Sequence, residues 1–134
     1  MALEKGLQKL ATDVPECVAC GYVDMESGML LAVKTIDSHP AEVLELVAAA
    51  TADIFQGQNV SMIEKLFKKA RGVKDESHHY IGEIIMLSDN LLHVLMRGKK
   101  NENHAVVIVC RKTANLGMVI SKSRLGLAAV EASL

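Results

Sequence analysis

Tryptophan is missing from this chain, and only two phenylalanines and two tyrosines occur in 134 residues. A core without aromatic bulk must be built from Leu, Val, Ile, Ala and Met. Base stacking on single-stranded nucleic acid is disfavoured for the same reason. Neither charge is in real surplus, with 15 Lys and Arg against 16 Asp and Glu. No bulk field therefore draws the protein to nucleic acid or to a membrane surface. No apolar run approaches the roughly 20 residues of a membrane-spanning helix. Met1 to Leu10 lacks the apolar stretch and cleavage site of a signal peptide. Three cysteines, an odd number, suit free thiols in a reducing cytoplasm. Only two prolines interrupt the chain, and no low-complexity tract, repeat or linker divides it. Residues 1–134 are read as one domain.

Catalytic signatures are also missing. There is no nucleophile elbow and no dinucleotide fingerprint. Gly98-Lys99-Lys100 lacks the upstream Gly and the following Ser or Thr of a phosphate loop. No catalytic, cofactor-binding or metal residue is assigned, and the chain is read as a non-enzyme.

What is present is periodic. Leu3, Leu7 and Leu10 recur at helical spacing, and Pro15 ends that helix. Cys17 to Met25 and Met29 to Ile36 read as strands joined by a turn at Glu26-Ser27-Gly28. Ser38 or His39 caps a long helix over residues 40–56. Gln56 to Asn59 interrupts it. Ser61-Met62-Ile63-Glu64 matches a capping box for a second piece. That piece carries Ile63, Leu66, Phe67 and Ala70 on one face, with Lys65, Lys68, Lys69 and Arg71 off it. Tyr80 to Leu87, Leu91 to Arg97 and Ala105 to Cys110 read as three strands. The last is apolar at every position, so both its faces should be covered and it should be central. Thr113-Ala114-Asn115 caps a final helix whose Leu116, Ile120, Leu127 and Val130 share a side. Hairpins dominate, so the sheet should be mostly antiparallel, with helices on both faces. The expected fold class is α/β (α+β), a three-layer α-β-α domain around five strands.

The helix over 40–56 is the most informative element. It has one apolar stripe at Val43, Leu46, Val47, Ala50 and Ile54, and a second at Leu44, Ala48, Thr51 and Phe55. A helix on one sheet needs one stripe. The second is expected to meet another copy of the chain, with Leu44, Ala48, Thr51 and Phe55 as the helix seam.

Val14-Pro15-Glu16-Cys17 through Asp24, followed by Gly28 to Ala32 and later by Asn115-Leu116-Gly117-Met118-Val119, resembles roadblock/dynein light-chain domains. The element order agrees over most of the chain, and the insert at residues 58–79 departs from the family's shorter connection. The resemblance implies a sheet of the profilin-like and longin-like kind and a homodimer. The long helix and the strand after it would pair with their symmetry mates. Ile81, Glu83 and Ile85 on that edge strand then join the dimer interface. It also implies a cytoplasmic, non-catalytic adaptor that serves a small GTPase or another signalling protein.

Two other classes stay open. One is a small-ligand sensor of profilin-like fold. The other is a thiol or metal protein built on Cys17 and Cys20, with Cys110. Residues three apart in a strand point to opposite faces, so the two CxxC sulfurs are expected to diverge and serve as small buried hydrophobes. His78 and His79 read as a solvated loop, and His93 as a structural residue within its strand. The basic stretch from Lys65 to Lys74 reads as a solvated helix face.

Overall fold

The structure is a computed structural model that describes residues 2–35, 41–72 and 81–134, with backbone only for 41–46. The chain runs α1 (Ala2–Asp13), β1 (Cys17–Asp24), β2 (Met29–Thr35), α2 (Ala41–Gln56), α3 (Gln58–Ala70), β3 (Glu83–Leu87), β4 (Leu91–Arg97), β5 (His104–Arg111) and α4 (Leu116–Ala132). The sheet order is β2-β1-β5-β4-β3, antiparallel throughout. The apolar run in β5 is its central strand, and Ala105 to Cys110 are all buried.

Alternation along the strands splits the core into two layers. Tyr22, Leu92, Val94, Met96, Val106 and Ile108 face α1 and α4. Val23, Leu95, Ala105, Val107 and Val109 face α2. The expected three-layer α-β-α arrangement is the one the chain adopts. Gly126 permits the close approach of α1 to α4, because a Cβ there would overlap the Leu10 side chain. Gly28 takes a left-handed φ of 73° in the β1–β2 turn, a conformation only glycine adopts freely. Asn115 caps α4 by accepting a hydrogen bond from the Met118 N–H at 3.0 Å.

Several expectations are corrected. Ala48, Thr51 and Phe55 are 1%, 1% and 0% exposed. Ala48 and Phe55 pack on the chain's own sheet, among Val23, Leu95, Ala105, Val107 and Val109. They are core, and no surface of theirs is left for a mate. The side chain of Leu44 lies outside the described residues, as do Ser38, His39, His78, His79 and Tyr80. Helix α3 starts at Gln58 with Gly57 as its cap, so Ser61 lies inside it. Leu116 is exposed rather than part of the core face of α4.

Candidate functional site

Strand β3 closes one side of the sheet. Glu83, Ile84, Ile85, Met86 and Leu87 pair with Met96, Leu95, Val94, His93 and Leu92 of β4. Among the described residues no strand pairs with its other side. Ile81 and Ile84 pack partly into the α2 layer, whereas Ile85, Met86 and Leu87 are exposed. Glu83 turns to α4, where its carboxylate accepts from Arg124 Nε and Nη2 at 2.8 and 2.7 Å. The guanidinium holds the Glu83 carboxyl below its ordinary range. An open edge flanked by bare apolar side chains is a template for a further strand.

Beside this edge, α3 is built inside out. Its Glu64 and Lys68 are buried, while Met62, Ile63, Leu66 and Phe67 are 56%, 44%, 63% and 49% exposed. A surface helix ordinarily does the reverse. Glu64 lies within electrostatic reach of Arg97, a buried guanidinium on β4. Arg97 donates from Nε to Ile81 O, from Nη1 to Glu102 O and from Nη2 to Phe55 O, at 3.1, 3.1 and 2.9 Å. Its guanidinium carbon also lies 4.9 Å from the centre of the Phe55 ring. Burial lowers its pKa, and Glu64 and Glu102 oppose that. The Glu64 carboxylate accepts the Ile81 N–H at 2.9 Å. The Ile81 N–H thus holds the acid of α3 inward, with the Arg97 charge in reach, and the apolar face of α3 is turned outward. Sequence periodicity finds that face and not its direction. Lys68 also departs from the solvated face expected of it.

A cleft of about 750 Å³ lies between α4 and the ends of β3 and β4. Its Glu131, Glu83 and Arg124 are engaged by the chain itself. Glu131 accepts the Lys99, Lys100 and Asn101 N–H groups at 3.0, 2.8 and 3.2 Å, and Arg124 is held by Glu83. His104, which sequence reasoning passed over, contacts the Tyr22 hydroxyl through Nδ1 at 3.0 Å, and burial pushes the Tyr22 pKa up to about 12. His93 is half-buried, and desolvation lowers its pKa.

The cysteines do not diverge. The pairing of β1 with β5 slips between Cys17 and Ala19. This bulge adds one residue to β1 and brings Cys17 and Cys20 onto the same face as Cys110. The Cys17 thiol interacts with both others. Among the described residues, no group of three or more His, Cys, Asp or Glu side chains is arranged to hold a metal ion. None of the described helices is long and apolar enough to cross a membrane.

No protein-family model matches the sequence, and no curated protein matches it either. Solved structures do match. The chain is similar to a Roadblock/LC7 domain from Streptomyces avermitilis at 11% identity, covering 96% of this chain and 94% of that one with a TM-score of 0.70. It is similar to the gliding protein MglB from Thermus thermophilus at 17% identity, 98% and 87% coverage and a TM-score of 0.72. MglC from Myxococcus xanthus matches at 16% identity over the full length of both chains, with a TM-score of 0.62. The fold is therefore roadblock-like.

Proposed function

We propose that this protein is a non-catalytic, cytoplasmic regulatory module that works as a homodimer and presents a surface to a small GTPase or another signalling protein. One observation carries the reading: the unpaired edge of β3, bordered by Ile85, Met86 and Leu87, lies beside an α3 whose apolar face points away from its own core. A second copy would extend the sheet through β3 and cover Met62, Ile63, Leu66 and Phe67. Each large apolar side chain fully covered would contribute on the order of 1.5–3 kcal/mol before association costs. The seam is thereby moved off the inward stripe of α2. Of the residues assigned to it from sequence, Ile85 is kept. Ile81 and Glu83 take part through the position of β3, since Ile81 binds Glu64 and Glu83 binds Arg124. The structural neighbours support the reading by likeness of fold, and one MglB structure is described as having a tetrameric arrangement.

The experiment is capture from native lysate on the immobilised chain, with and without added guanine nucleotides. Stoichiometric recovery of a small GTPase or other signalling protein is expected. Recovery of no protein at all contradicts the reading.

A small-ligand sensor is favoured by one observation, the cleft between α4 and the β4–β5 hairpin. The internal engagement of Glu131, Arg97 and Arg124 speaks against it, since a polar ligand would have to displace bonds already made. Native mass spectrometry that finds one retained small molecule per chain would reverse this preference.

A further inference from the structure

The three thiols form a cluster that the proposed adaptor role does not use. We propose that Cys17 and Cys110 are a reversible dithiol site, closed to a disulfide by hydroperoxides, with Cys17 the thiol that attacks the peroxide and Cys110 the resolving one.

The geometry of the pair carries this. Cys17 and Cys110 are directly opposed in the antiparallel ladder of β1 and β5. On the adjacent pair, Arg111 N–H donates to Glu16 O at 3.0 Å. Ladder pairs alternate, so Cys17 and Cys110 occupy a non-hydrogen-bonded site, where Cα atoms approach to about 4.5 Å and side chains lie closest. That spacing falls within the roughly 4.4–6.8 Å over which a disulfide closes without moving the backbone. Cys20 does not meet this condition. It is paired across the ladder with Ile108 and lies three residues along the strand from Cys17, about 10 Å at ordinary strand rise against a limit of about 7 Å. Its thiol also donates to Leu7 O at 3.3 Å.

Position and exposure assign the roles, and the electrostatics agree in direction. At rest Cys17 Sγ donates to Ala19 O at 3.3 Å, while contacts from Cys110 and Cys20 lower its pKa against the cost of burial. The other two thiols are raised by their contact with Cys17 and by burial. The thiolate is the reactive form. Cys17 is also the most exposed of the three, 6% against 1% for Cys20 and 0% for Cys110. It begins β1 at the rim of the sheet, directly after Glu16, which holds an uncommon left-handed φ of 53°.

The steps balance. The Cys17 thiolate attacks one peroxide oxygen, the O–O bond breaks, and hydroxide leaves with the sulfenic acid formed. The Cys110 sulfur then attacks the Cys17 sulfur, the S–O bond breaks, and the second oxygen departs as water. Two thiols are oxidised, one hydrogen peroxide is reduced to two waters, and a thiol reductant reverses the change.

The test is hydrogen peroxide on the full chain, followed by denaturing thiol titration and peptide mapping. The three free thiols should fall to one, the intact mass should drop by two hydrogens, and the linked peptides should contain Cys17 and Cys110. Dithiothreitol should restore all three thiols. Cys20→Ser should still form the bond. In Cys110→Ser, dimedone should label Cys17 as the sulfenic acid. Mapping of the wild-type chain decides the matter if either variant fails to fold. A Cys17–Cys20 bond, a link between two chains, or three thiols surviving peroxide would each overturn the proposal.

Discussion

At the scale of single residues, the account makes Ala48 and Phe55 core positions of one subunit. Ala48→Glu would bury a charge with no partner beneath α2, and the chain should lose at least about 3 kcal/mol of stability in urea denaturation. An Ala48→Glu chain that keeps wild-type stability would show that α2 does not lie on the sheet as described. Phe55→Ala should cost about 3–5 kcal/mol by the same measurement, since Phe55 is fully buried and carries Arg97 over its ring. His93 gives a pH signature. Its pKa is depressed by burial below the ordinary 6.5, so the unfolded chain takes up the proton first. Stability is full above 6.5 and falls as pH drops from there toward the folded value. The urea midpoint should decline between pH 7.5 and 5.5, and His93→Gln should flatten that decline.

At the scale of elements, β5 and the α4 cap were legible because their signals are local. An unbroken apolar run at Ala105 to Cys110 needs cover on both faces, and Asn115 has only its own helix to cap. The stripes on α2 were legible as stripes. Which of them faced inward was not, because small residues such as Ala48 and Thr51 suit a close helix pair and a helix close on a sheet equally well. The direction of α3 was hidden for another reason. It depends on Ile81, distant in sequence, whose N–H binds the Glu64 carboxylate. The bulge at Cys17 to Ala19 has no glycine or proline to announce it, so the meeting of the thiols could not be read from spacing. The account of α3 has its own test. Glu64→Leu should destabilise the chain by about 1–3 kcal/mol, because the part-buried Ile81 N–H loses its acceptor. Leu66→Glu with Met62→Glu should leave the stability of the isolated subunit within about 0.5 kcal/mol per change, because both side chains are exposed. A collapse of the double variant at low concentration, measured by circular dichroism, would mean that this face packs inside the subunit.

At the scale of the whole molecule, the sheet has two ends of different character. Helices α1 and α2 both pack across β2, whereas no described helix covers β3 to a similar extent. The inverted α3 lies beside the uncovered end, and the two together form the surface from which a paired assembly is inferred. Sedimentation velocity across a range of concentrations tests that inference most directly. The account predicts a wild-type species of twice the 14.5 kDa chain mass, and a folded species of single mass for Ile85→Lys combined with Leu66→Glu. A wild-type chain that sediments at single mass throughout, or a double variant that still sediments at double mass, would contradict it.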